Sequence, residues 1–202
     1  MSPESEVLEF ALDAEWIELP SPEATDDDTW VEAALDSFEL DGPVRGMLAE
    51  GLRGMLDLAR KLSPGSRRSF ALVAHPELGR VDALLSFRLA RVTASGYADY
   101  LRAAQGFVPA GGGEALNRRV EELALPAGPA VLSTDILVPP ADEPLAPPAT
   151  ERVFLGVFPR GWGAIAEFTL VTEDLAAFEN AADYVVALAS GGTPVRIGED
   201  IA

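Results

Sequence analysis

The dominant spacing of apolar residues changes at Ser69, and that change bounds the fold. Before Ser69 the repeat is helical. Val44, Met47, Leu48, Leu52, Met55, Leu58, Ala59 and Leu62 share one face of a long helix that Pro64-Gly65 ends. From Ser69 onward the repeat is two. Residues 70–75 predict a strand, residues 75–79 a turn, and Val81, Ala83, Leu85, Phe87 and Leu89 the inward face of a second strand. Residues 119–125 and 130–138, joined by Pro126-Ala127-Gly128-Pro129, predict another hairpin. Helices followed by hairpins imply an α+β domain, a central antiparallel sheet with helices packed on its faces. They do not suit a doubly wound parallel sheet.

The remaining segments fill in that plan. Trp16-Ile17-Glu18-Leu19-Pro20 alternates and then stops at proline, as a strand end does. Thr29 and Glu32 fit a capping box for a helix presenting Val31, Ala34, Leu35 and Phe38, and Gly42-Pro43 breaks it. In the long helix, Gly46, Gly51 and Gly54 would allow close approach to a sheet. Tyr97, Tyr100, Leu101 and Ala104 mark a short helix, and Gly111-Gly112-Gly113 a loop. Residues 139–150 are proline-rich and polar, a surface loop; their PxxP lacks flanking basic residues. Residues 152–158 are apolar on both faces, as in a central strand. Ala164, Ala166, Phe168 and Leu170 give a strand with one apolar face. A last helix, with Thr172 as its cap, would present Leu175, Phe178, Ala182, Val185 and Ala189. With 202 residues, 48% of them hydrophobic, the chain is long enough for one full core, and residues 1–202 are read as a single domain.

Charge is segregated. Of 33 acidic residues, 14 fall within residues 1–44, which hold no Lys or Arg, so the rest carries 19 acidic against 15 basic residues. A net charge of −18 repels phosphate backbones and anionic lipid, which argues against nucleic-acid and membrane-surface binding. The acidic segment reads as a solubilising face or as a docking face for a basic partner. The first ten residues are acidic where an export signal would be basic and then apolar, and no apolar run is long enough to span a bilayer. The expected compartment is the cytoplasm.

One histidine (His75), one lysine (Lys61) and no cysteine leave carboxylates, hydroxyls and arginines as the available chemistry. His75 belongs to a turn, with no nucleophile motif beside it. Asp26-Asp27-Asp28 are adjacent and lack the glycine and spaced ligands of a calcium loop, so they read as a helix entry and a partner-binding candidate; no metal is assigned. Glu121 and Glu122 point to opposite strand faces. Ser133 and Asp135 share a face of an otherwise apolar strand, expected on the solvent side of a hairpin. The glycine triplet lacks the lysine and hydroxyl of a phosphate loop. Trp162, after the Arg160-Gly161 turn, either begins the core face, as alternation favours, or is an exposed contact residue. Trp16 and Trp30 share that ambiguity. Trp30, Arg160 and Trp162 therefore join the aspartates as candidate partner-binding residues, and no catalytic or cofactor-binding residue is assigned.

The tryptophan strand ending in Leu19-Pro20, the hairpin carrying residues 152–171 and a closing helix with Phe178 and Leu188 resemble the Mog1/PsbP-like superfamily. The chain is also similar to actinobacterial proteins with a Trp-Ile-x-Leu-Pro opening and a Leu-Pro-Ala-Gly-Pro-Ala segment, here residues 125–130. The long helix of residues 44–62 departs from the simplest family pattern. The resemblance implies a sandwich of helices around an antiparallel sheet, used for protein binding and chaperoning, with no shared catalytic residues or cofactor. The expected function is a non-enzymatic adaptor or chaperone-like module. The rivals are a carboxylate- or metal-dependent enzyme, which requires converging acids, and a small-molecule or lipid carrier, which requires an apolar cavity between the long helix and the sheet.

Overall fold

Period-two segments pair into one seven-stranded antiparallel sheet in the computed structural model of the protein, which describes residues 5–21, 26–62, 68–91, 96–109, 113–140, 148–161, 163–191 and 193–197. In chain order the elements are β1 (Ser5–Glu9), β2 (Trp16–Leu19), α1 (Asp27–Leu35), α2 (Gly42–Leu62), β3 (Arg68–Leu72), β4 (Ala83–Arg91), α3 (Gly96–Gln105), β5 (Glu114–Ala124), β6 (Pro129–Val138), β7 (Thr150–Val157), β8 (Ala164–Thr172), α4 (Ala181–Gly191) and β9 (Thr193–Ile197). The sheet runs β2-β3-β4-β8-β7-β6-β5, and β1 pairs with β9 in a separate ribbon. The fold is α+β, with hairpins supplying most neighbours, as period-two runs joined by short turns dictate.

Register places one row of side chains across all seven strands: Ile17, Ala71, Leu84, Val171, Arg152, Asp135 and Arg118. Its first half is apolar and lies under α1 and α2. Leu48, Leu52 and Leu56 of α2 are buried against Val31 and Leu35 of α1 and against Ala71, Val73 and Leu84 of the sheet. Its second half lies under α3, where Tyr100 sits directly over Gly156; a Cβ there would fall 2.7 Å from the tyrosine ring. The opposite face is apolar across its centre. Ala181, Val185 and Ala189 of α4 close over Val153, Leu155, Phe168 and Leu170. Phe10 wedges edge-on between Phe87 (5.1 Å) and Phe168 (5.5 Å).

Local chemistry explains where the elements begin and end. Asp26, not Thr29, caps α1: its carboxylate accepts the Thr29 amide at 3.2 Å, so the helix starts before the expected capping box. Pro43 sits in the first turn of α2, where its missing N–H costs nothing. Of the three glycines expected to allow close approach, Gly51 alone makes one, to Val81, whereas Gly46 and Gly54 face open space. Gly79 takes a left-handed φ of 66° at the turn after β3, and any side chain there would strike Met47. The last helix begins eight residues later than expected. Thr172 ends β8, its hydroxyl accepting the Asp174 amide, and Asn180 is the true cap, accepting the amides of Ala182 and Asp183. Leu175 lies outside that helix and is exposed. β8 is covered on both faces, not one. β5 starts at Glu114, five residues before the expected strand.

Candidate functional site

Ser133 and Asp135 are buried, not solvent-facing: the residues are 4% and 2% exposed. The reason is α3, which roofs the strand face they share. Asp135 lies between two arginines. Arg118 Nη1 reaches Asp135 Oδ2 at 2.5 Å, and Arg152 Nε donates to Oδ1 at 2.8 Å. Arg118 Nη2 also donates to the carbonyl of Ala104, in the last turn of α3, where the helix dipole favours a cation. A bulge makes this possible. Between Leu116↔Ile136 and Arg119↔Thr134 the register slips by one, so Asn117 and Arg118 together oppose Asp135. Asn117 takes a φ of 52° to do so.

The cluster carries two positive charges against one negative. Phe107, beyond the end of α3, covers both guanidinium groups, its ring centroid 4.8 Å from Arg118 and 5.0 Å from Arg152. Beside it a cavity of about 180 Å³ is walled by Tyr100, Ala103, Ala104, Phe107 and Phe154, with Arg118 and Ser133 as its polar floor. Ser133 Oγ and Arg118 Nε have no hydrogen-bond partner among the described residues. The cavity lies beneath the short helix, whereas a carrier's cavity was expected beneath the long one, where Leu48, Leu52 and Leu56 cluster with Ala71, Val73 and Leu84. Tyr97 anchors the start of α3 by donating to Glu122 at 2.7 Å, and burial with that carboxylate pushes its phenol up to about 12.

On the other face, a larger polar groove of about 500 Å³ runs past Arg119, Glu121, Thr134 and Glu151 to Asn180 and Asp183. Burial raises the Glu151 carboxyl above its usual range there. Among the described residues no three His, Asp or Glu side chains gather as a metal site would require.

The aspartate triplet turns inward along α2. Asp26 caps α1, Asp27 makes a two-pronged pair with Arg60 (2.7 and 2.5 Å), and Asp28 pairs with Arg53 at 2.9 Å. Arg60 holds the Asp27 carboxyl below its ordinary range. Arg45 likewise joins Glu32 and Asp36, each at 2.8 Å. Part of the acidic segment therefore meets arginines of α2 at the α1–α2 contact. Trp30 is half-buried against the core between α1, α2 and the sheet. Arg160 is exposed, its amide donating to the Ala127 carbonyl at 3.0 Å. Trp162 lies outside the described residues, as does most of the proline-rich loop of residues 139–150. The structure does not bring the triplet and Arg160 together as one constellation among its hydrogen bonds or ion pairs. Exposed His75 pairs with Glu77, at 3.2 Å.

A second surface feature lies at the end of the sheet where β3 turns into β4. Met47, Leu78 and Leu175 are 55%, 51% and 50% exposed, among the largest apolar exposures described. Met47 packs beside Gly79, next to Leu78. Arg80 binds Asp174 at 2.5 Å, drawing in the loop that carries Leu175. Exposed Glu50, Glu77 and Glu173 flank these three side chains in sequence.

Comparison with protein-family models finds none that matches the chain, and comparison with curated proteins finds no relative. No helix among the described residues is long and apolar enough to cross a membrane.

Proposed function

We propose that this protein is a non-enzymatic adaptor or chaperone-like module that binds another protein, in the manner of the Mog1/PsbP-like proteins it resembles. The observation that carries the reading is the exposure of three large apolar side chains, Met47, Leu78 and Leu175, each with an exposed glutamate (Glu50, Glu77, Glu173) near it in sequence. Half-exposed large apolar side chains of this kind are what a partner's apolar anchors would cover. Those acids, on a chain of net charge −18, select a partner with apolar anchors and a basic surround. The sparse nucleophile and base inventory, one histidine and no cysteine, favours binding over catalysis. Its proposed compartment is the cytoplasm.

The test is an affinity capture with the full chain from its native lysate, run in parallel with a Met47→Asp/Leu78→Asp variant and an Asp26→Asn/Asp27→Asn/Asp28→Asn variant. A partner with a basic surface, lost with the first variant and kept by the second, is the expected result. Rising salt is expected to slow its association, because the acids steer encounter while the apolar side chains set dissociation. A partner retained equally by the first variant, or no reproducible partner at either low or high salt, contradicts the proposal.

A further inference from the structure

We propose that the cavity beneath α3 is a binding site for a small aromatic monocarboxylate. Three observations converge on that chemistry. The walls are apolar and largely aromatic, with Tyr100, Phe107 and Phe154 facing a space of about 180 Å³. An engineered apolar cavity of roughly 150 Å³ accepts benzene, so a single ring is the right scale. The floor offers donors: the Ser133 hydroxyl, on a residue 4% exposed, and Arg118 Nε–H are both unpartnered among the described residues. A buried donor without an acceptor is costly, and a carboxylate supplies two oxygens to satisfy both. The charge balance agrees. Arg118 and Arg152 share the single carboxylate of Asp135, and one more negative charge neutralises the cluster. Asp135 holds the Arg118 guanidinium in place and leaves its Nε edge for the ligand. Phe107, 38% exposed, stands over both guanidiniums and lines the same cavity. The site is independent of the apolar residues proposed for partner binding.

The probe is benzoate, with benzamide as its uncharged twin, titrated into the isotopically labelled full chain and followed by amide NMR. Benzoate is expected to shift the amides of α3, Arg118 and Ser133 saturably, and benzamide to bind about tenfold more weakly, the usual worth of a hydrogen bond to a charged group. Arg118→Met is expected to abolish the preference for benzoate, and Ser133→Ala to weaken both probes severalfold. Ala104→Leu fills the cavity and is expected to remove binding while the remaining spectrum stays native. Should Arg118→Met fail to fold, the benzoate-to-benzamide comparison on the unaltered protein still decides the matter. No saturable benzoate shift at these amides, equal affinity for benzamide, or unchanged binding in Ala104→Leu would each overturn the proposal.

Discussion

One row of side chains crosses the sheet under two different roofs, and the contrast between its halves separates what stabilises this protein from what equips it. Under α2 the row reads Ile17, Ala71, Leu84; under α3 it reads Arg152, Asp135, Arg118. α2 has 21 residues and buries Leu48, Ala49, Leu52 and Leu56 in the seam. α3 has 10 residues and buries none completely, presenting alanines and two half-buried tyrosines over a charged floor. A long amphipathic helix seals a sheet face by matching apolar area to apolar area. A short alanine-bearing helix over paired ions leaves space, and its position relies on specific contacts: Tyr97 to Glu122, Tyr100 over Gly156, and the Ala104 carbonyl to Arg118.

The sharpest way to break this contrast is at Asp135. Asp135→Ala strands two arginines and is expected to cost about 3–5 kcal/mol. Replacing the cluster together, by Arg118→Met, Asp135→Leu and Arg152→Met, is expected to be near neutral or stabilising, because desolvation of all three charges disappears with them. Urea denaturation of both variants checks this; a triple variant as unstable as the single one would mean that the cluster is itself a main source of stability. Next in size, Leu52→Ala in the sealed half is expected to lose about 2–5 kcal/mol. Ala104→Leu in the open half, growing into the cavity, should cost under about 1.5 kcal/mol or nothing. Equal losses would erase the distinction between the halves.

Smaller effects lie in the acid range. Arg60 depresses the Asp27 carboxyl and Arg68 depresses that of Glu18. Depressed carboxyls contribute stability that is present above their unfolded pKa values, about 4, and is lost as pH falls through the folded ones. Asp27→Asn is therefore expected to flatten the acid limb of a stability-against-pH curve below about pH 4. Glu151 has the opposite sign. Burial raises its carboxyl, so the charged form is disfavoured in the fold. Glu151→Gln is expected to raise the melting temperature slightly at pH 7, with the gain shrinking as pH falls and the native glutamate takes up its proton. A Glu151→Gln gain that is the same at pH 7 and pH 4 would contradict that assignment.

Much of the architecture was legible because it is local. The three- and four-residue spacing from Val44 to Leu62 survives as α2, and the alternation about Phe70, Leu85 and Leu132 survives as strands facing α4. Thr172 misled for a physical reason: its hydroxyl does accept an amide two residues on, the same bond a helix cap makes, but it closes a turn at the end of β8. The β1–β9 ribbon was not readable, since Ser5 pairs with Ile197 from opposite ends of the chain. Within the candidate site, only Ser133 and Asp135 stood out, as polar residues in an apolar strand. Their partners Arg118 and Arg152 come from two neighbouring strands, and Arg118 faces inward only because the bulge at Asn117 shifts the register. No local pattern announces a bulge of this kind at an asparagine.

Native-state hydrogen exchange, followed amide by amide on the full chain, tests the difference between the two halves most directly. The expected result is that α3 amides exchange through a partial opening of clearly lower free energy, while those of α2 and β4 exchange only with global unfolding. If α3 and α2 open together at the global free energy, both halves are equally closed, and the separation of a stabilising half from a binding half fails.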